Sequence, residues 1–444
     1  MNEPDHDVWS AALAARGLDA VQVTLYARQL AWDSAEMIIP DEAPSVISEI
    51  RAAQRAGLRV TLVLRVALEQ GLESNRHFWH GMIWPDETEI DDWFAHYREF
   101  ALWGARLARE EGVDMLAVGS ELNSMTSTAA VAALPDLYGY FLDPERTATV
   151  RDRLVECAAD VPPELLAPEL RFTDGGEYET LQSYLMAQEE ADRRWTRHIT
   201  GAERAEEVDL AVLNRRRRRY DDNWRALIAE VRGIYGGPLS YAANFDQVAE
   251  VGFWDALDAI GVNAYFPLSR WGLAGDRLES ELNGSWLRIA GELNGLADAY
   301  GGPARVLPVI LFELGWTRKA GSTVRPFSYQ RVEALETVDE LGAPSALTCV
   351  HWASQPEDPL ERVAALAALD AVVEQGGFPT LRGFTLWKLS TNPTHRPIEP
   401  FVVVLPRAAE IVDAENVADR ADRAYLDIAA RLAARLRASA VADR

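Results

Sequence analysis

A (β/α)8 barrel is the fold class predicted by this 444-residue chain, and three observations predict it. Short Val/Ile/Leu-rich runs alternate with amphipathic helical stretches, the pattern of βα units around a parallel sheet covered on both faces. Neither GxGxxG nor GxxxxGK[ST] occurs, which removes the usual nucleotide-binding open sheets. Two of the apolar runs deliver a glutamate at their C-terminal tips, where a barrel carries its chemistry.

Taken in order, the candidate strands begin with AVQVTLYA (20–27), followed by the helical stretch SVISEIRAAQRAG (45–57), which Gly57 stops. LRVTLVLRV (58–66) leads to a longer helix, DDWFAHYREFALWGARLAREEG (91–112), with Trp93, Tyr97, Phe100 and Leu107 near one face. VDMLAVGS (113–120) is the third strand. A helix from Tyr220 through NWRALIAEVRGIYGG precedes PLSYAANF (238–245), and LDAIGVNAYF (257–266), RVLPVILFE (305–313) and LRGFTLWKL (381–389) complete the set. That is one strand short of eight. The chain opens almost directly in a helix, DVWSAALAARG, so the first strand either lies upstream of Met1 or is replaced by PFVVVL (400–405).

We read residues 1–444 as one barrel domain, with 126–215 as a mostly helical insertion after the VGSEL strand. The insertion is rich in Glu, Pro and Ala, contains YETLQSYLMAQEEADRRWTRHI, and ends in RRRRR (215–219). Strongly acidic flanks make that run the solvated opening of the next helix and not a nucleic-acid patch.

Composition narrows the function. With 44 basic and 69 acidic residues, the net charge of −25 repels phosphate backbones, so no nucleic-acid partner is expected. No apolar run reaches the roughly 20 residues that span a bilayer, so no membrane partner is expected either. The N-terminus, MNEPDHDVWS, is acidic where a signal peptide would be basic and then apolar, which predicts a cytoplasmic protein. Cys157 and Cys349 match no metal or redox spacing, and one pair is no disulfide framework. His77 and His80 lack an evident third ligand, so neither a metal nor another cofactor is expected.

Glu121 and Glu313 occupy the C-terminal tips of two strands. One such glutamate is ordinarily a cap neighbour or a salt bridge; two on one rim are what glycoside hydrolysis needs. Tyr265, in NAYFPL, stands at a strand end one strand before Glu313, where its hydroxyl could hold that carboxylate ionised and oriented. Trp387, in FTLWKLS, offers an indole face for stacking on a sugar ring, and Trp79 and His80, in HFWHGMIWP (77–85), are candidate subsite walls. Arg65, Asn244 and Asn263, near the ends of their strands, complete the substrate-binding candidates. The expected partner is an oligosaccharide or polysaccharide.

The ordered set VGSEL, WRALI–VRGIYGGPLSYAANFD, DAIGVNAYFPL, PVILFELGW and GFTLWKLS resembles glycoside hydrolase family 113, within a large clan of retaining (β/α)8 glycosidases. The resemblance spans roughly 10–125 and 216–395. It implies β-mannanase-like double displacement, with the acid/base on the fourth barrel strand, matched by Glu121, and the nucleophile on the seventh, matched by Glu313. Counted that way, AVQVTLYA becomes the second strand and the first lies upstream of Met1. Two positions depart from the pattern: Ser120 stands where much of the clan has Asn, and Arg65 stands near an expected histidine. The mechanism predicts carboxyls about 5–5.5 Å apart and a raised pKa for Glu121. Two other readings stay open: an inactive carbohydrate-binding barrel, and an exo-acting β-glycosidase on short oligosaccharides.

Overall fold

The computed structural model describes residues 5–41, 43–159, 180–302, 305–328, 332–339, 344–352, 354–397, 399–405 and 416–442. All seven predicted strands are present: β1 (Ala20–Gln29), β3 (Arg59–Leu68), β4 (Met115–Ser120), β5 (Leu239–Asn244), β6 (Ile260–Asn263), β7 (Val309–Leu314) and β10 (Leu381–Leu386). They form one parallel sheet in the order β10-β7-β6-β5-β4-β3-β1, and β2 (Met37–Ile38) adds a short antiparallel extension to β1. The chain opens in α1 (His6–Ala15); parallel neighbours need crossovers, all but the β5–β6 one supplied by α2 (Ala43–Arg55), α3 (Ile90–Glu110), α8 (Leu210–Ile234), α9 (Gly275–Gly301) and α10 (Pro359–Glu374). The sheet curls as a barrel does. Val63, Ala117, Ala242 and Phe312, from β3, β4, β5 and β7, meet as one buried cluster. The aromatic face of α3 is buried as its spacing predicts, with Trp93, Tyr97 and Phe100 at 0% exposure.

The curl stops short of closure. No strand pairing joins β1 to β10 among the described residues. A cavity of about 650 Å³ lies between them, lined by Gln22, Thr24 and Tyr26 on one side and Phe384, Leu386 and Trp387 on the other. This is where an eighth strand would run. PFVVVL does not fill it: β12 (Val403–Val404) pairs instead with β11 (Leu389–Ser390) in a separate small sheet.

Helix α4 (Asn123–Thr126) leads into the predicted insertion, which contains α5 (Asp136–Phe141), α6 (Pro144–Ala159) and α7 (Leu181–Thr200); positions 160–179 within it lie outside the described residues. One boundary differs from the sequence reading. Helix α8 begins at Leu210, with Asp209 capping Ala211 and Val212, so the five arginines lie inside it and not before it. Arg216 and Arg219 pair with Glu87, and buried Arg217 pairs with Glu250. After β7 the chain forms a hairpin, β8 (Val332–Val338) with β9 (Pro344–His351). A disulfide, Cys157–Cys349, ties α6 to β9. The cysteines are 192 positions apart, a separation that carries no local signal in the sequence. Helix α11 (Val417–Ala442) packs on α10 and closes the fold.

Candidate active site

Glu121 follows directly on β4, with its N–H donating to Ala242 O of β5 at 2.9 Å. Its φ is +50°, the left-handed region that a non-glycine residue enters at a cost of about 1–3 kcal/mol. The turn is held from several sides. Leu122 N–H donates to the Tyr241 hydroxyl at 2.9 Å, Ser124 Oγ donates to Gly81 O at 2.6 Å, and the buried Trp224 indole donates to Met125 O at 2.9 Å. Gln247 Nε2 donates to Asn123 O at 3.0 Å. Backbone strain held this firmly aims a side chain; here it aims Glu121 at the strand-end rim.

Glu313 lies within β7, opposite Asn263 of β6 in the strand register, and its side chain is 4% exposed. Gly315, two residues on, admits no side chain, because a Cβ there would come 1.9 Å from Trp387 O. The backbones of the two strand ends therefore meet in direct contact, which sets Trp387 beside Glu313.

Arg65, at the far end of β3 and 9% exposed, joins the two carboxylates. Its Nη2 donates to Glu313 Oε1 at 2.6 Å, to Glu121 Oε2 at 2.9 Å and to Ser120 Oγ at 3.2 Å. His80, in the short turn after β3, places Nε2 at 3.0 Å from the same Glu121 oxygen. The Tyr265 hydroxyl donates to Glu313 Oε2 at 2.8 Å. The Arg65 guanidinium also lies 5.9 Å from the centroid of the Trp387 ring.

The electrostatics follow from this geometry. Burial alone would raise Glu121, but the Arg65 charge and His80 outweigh it and bring its pKa down to about 2. For Glu313 burial dominates; Arg65 opposes it, the Glu121 charge adds to it, and the result is pushed up to about 7. This reverses the expected order: the free site holds Glu121 ionised, because its nearest neighbour is a cation and not an apolar wall. Burial also disfavours the Arg65 charge, but Glu313 and Glu121 outweigh it and hold the guanidinium firmly charged. Burial and then the two carboxylates push the Tyr265 phenol well above its usual value, so it remains a donor.

Five sequence candidates thus converge by hydrogen bonds: Glu121, Glu313, Arg65, His80 and Tyr265. Asn263 is fully buried beside them, and its amide favours ionised Glu121 yet finds no partner of hydrogen-bond geometry among the described residues. Trp79 meets His80 edge-to-face at 5.0 Å, one layer out. Asn244 makes no hydrogen bond to these groups among the described residues; its side-chain Oδ1 accepts from Phe245 N–H at 3.0 Å. Tyr241 and Gln247, which hold the Glu121 turn, were not among the candidates, because a buried Tyr and a loop Gln carry no sequence signal of that role. The 650 Å³ cavity adjoins the site through Trp387, but its walls do not include the two glutamates.

Among curated proteins none shows significant sequence similarity. Among solved structures, the GH113 β-mannanase AaManA from Alicyclobacillus acidocaldarius, in complex with ManMIm, is similar at 18% identity. The match covers 96% of this chain and 92% of that one, with a TM-score of 0.52. A GH113 β-1,4-mannanase is similar at 18% identity, covering 95% and 93%, also with a TM-score of 0.52. Identities this low establish the shared barrel fold and not a shared substrate. The model of Glycoside Hydrolase Family 113 matches residues 8–131 and 208–341, more than half the chain and both strand tips that carry the glutamates. The chain belongs to glycoside hydrolase family 113.

Proposed function

We propose that the protein is a retaining glycosidase acting on β-linked, mannan-type glycans, with Glu313 as nucleophile and Glu121 as general acid/base. One observation carries the reading: two buried carboxylates on opposing strand tips hydrogen-bond to a single nitrogen, Arg65 Nη2. The two bonds laid end to end, 2.9 Å and 2.6 Å, cap the separation of those oxygens at 5.5 Å. That cap supports double displacement, since inverting enzymes hold their carboxyls about 6.5–9.5 Å apart to admit a water.

In the first step a Glu313 oxygen attacks the anomeric carbon while Glu121 gives its proton to the departing glycosidic oxygen. In the second, Glu121 takes a proton from water, which attacks the same carbon and releases Glu313. Tyr265 holds the Glu313 carboxylate in one orientation throughout, and Trp387 supplies a stacking face. The mannan assignment rests on family membership together with the mannanases of like fold. The substrate is neutral and needs no cofactor in this scheme.

Among the described residues no helix is long and apolar enough to cross a membrane. The Cys157–Cys349 bond favours an oxidising compartment over the cytoplasm expected from the N-terminus. An inactive carbohydrate-binding barrel is the second reading, and Arg65 lodged between the carboxylates is the observation in its favour. Assaying purified protein on aryl β-mannosides and manno-oligosaccharides, with Glu121→Gln and Glu313→Gln as controls, tests both. Turnover lost in each variant supports the enzyme; binding without turnover by the unaltered protein supports the second reading.

A further inference from the structure

Arg65 does more than pair charges, because of where its terminal nitrogen sits. In a retaining glycosidase the acid and the nucleophile flank the scissile bond, so the glycosidic oxygen and anomeric carbon must enter the space between them. Arg65 Nη2 fills that space, within 2.9 Å of Glu121 Oε2 and 2.6 Å of Glu313 Oε1. Substrate and guanidinium cannot occupy it together.

The guanidinium is also unevenly used. Nη2 carries two hydrogens but faces three acceptors, the third being Ser120 Oγ at 3.2 Å. Nε of the same side chain is buried and has no hydrogen-bond partner among the described residues. Both amide atoms of Asn263, whose side chain favours ionised Glu121, likewise have no partner of hydrogen-bond geometry among the described residues. A ligand that completes this arrangement must offer an acceptor to Arg65 Nε, and both an acceptor and a donor to Asn263. Adjacent hydroxyls of a neutral pyranose do both.

We propose that a bound sugar displaces Arg65 from Glu121 while its hydroxyls take up Arg65 Nε and Asn263, and that this displacement hands Glu121 the proton it needs as acid. The inference rests on the glycosidase reading above. Before binding, Arg65 and His80 hold Glu121 low and burial pushes Glu313 up, so a proton on the pair favours Glu313. With Arg65 left on Glu313 alone, that carboxylate becomes the better-neutralised one, and Glu121 loses its strongest stabilising charge. One proton leaves Glu313 and one arrives at Glu121; the pair's total is unchanged. The other groups facing Glu121 stay in place: His80 from the turn after β3, Tyr241 of β5 and Asp246 on the loop after β5. Tyr265 continues to serve Glu313, and Tyr26 of β1 faces Arg65. Arg65 is thus a positioning residue that acts through the two glutamates.

The test is a side-chain carboxyl 13C NMR titration of Glu121 and Glu313, assigned with the two Glu→Gln variants, in the free protein and with mannotriose. Binding is expected to move the Glu121 titration up by about 2 pH units, a hundredfold in proton affinity, and the Glu313 titration down. Free Arg65→Met protein is expected to show a raised Glu121 without ligand. Mannotriose that binds yet moves neither group overturns the proposal, as does an Arg65→Met protein whose Glu121 titrates as in the parent. If mannotriose does not bind, the mannan reading fails, and the ligand-free comparison decides the role of Arg65 by itself. Should Arg65→Met not fold, Arg65→Gln, which retains a donor for Ser120 without the charge, replaces it in that comparison.

Discussion

Tyr265→Phe isolates one hydrogen bond in the candidate mechanism. The Tyr265 hydroxyl donates to Glu313 Oε2 at 2.8 Å, and the ring is held by an edge-to-face contact with Phe401 at 5.8 Å. Phenylalanine keeps the ring and its packing and removes only the donor. A hydrogen bond to a charged group contributes about 1.5–3 kcal/mol. At 1.36 kcal/mol per factor of ten, its loss lowers kcat about 10- to 100-fold if the bond orients the attacking carboxylate. The sign of the pH effect follows from the same bond. It favours the ionised form of Glu313, so removing it raises that pKa further above about 7 and shifts the acidic limb of the rate profile to higher pH. Steady-state kinetics on an aryl β-mannoside between pH 5 and 9, with a melting curve to confirm folding, measures both. A kcat within twofold of the parent, with an unshifted acidic limb, would refute the assignment of Tyr265 to Glu313.

Three further outcomes follow. Glu313 has a raised folded-state pKa, so the stability it allows is full below its ordinary value of 4.5 and is lost as pH rises through about 7. Thermal melts should therefore find Glu313→Gln more stable than the parent at pH 8, by up to about 3 kcal/mol, with the gap closing towards pH 4; a gap that widens at acid pH would contradict this. Gly315→Ala places a Cβ 1.9 Å from Trp387 O, and should cut kcat/KM at least about tenfold while leaving soluble protein, as judged by kinetics and circular dichroism. Reducing Cys157–Cys349, which closes a separation of 192 residues, should lower the melting midpoint by several degrees, on the order of 2–4 kcal/mol. Free thiols in the native, unreduced protein would contradict that bond.

The strands were the most legible part of the chain because parallel strands covered on both faces must be continuously apolar. β3 and β4 show this in RVTLVLRVAL and MLAVGS. Both glutamates were legible for the same reason: a carboxylate ending such a run has to be explained. What the residues could not reveal was the company each one keeps. Ser120 and Arg65 read as two separate departures from the family pattern, yet Arg65 Nη2 touches Ser120 Oγ, so they are two halves of one contact. The pKa order failed for that reason, since an apolar strand tip predicts a raised Glu121 and a cation 56 residues upstream reverses it. The arginine run was expected as the solvated opening of the next helix; the helix begins earlier, at Leu210, and Arg217 within the run is buried against Glu250, a partner from a distant segment. The positive φ of Glu121 had no sequence signature, because glycine, the usual sign, is not there.

The central claim is that Glu313 attacks the anomeric carbon. Incubating the protein with an activated 2-deoxy-2-fluoro mannoside and mapping the adduct by peptide mass spectrometry tests it most directly. One stoichiometric glycosyl adduct is expected, on Glu313, that fails to form in Glu313→Gln. A label on Glu121, or an inverted product released with no covalent adduct, would contradict it.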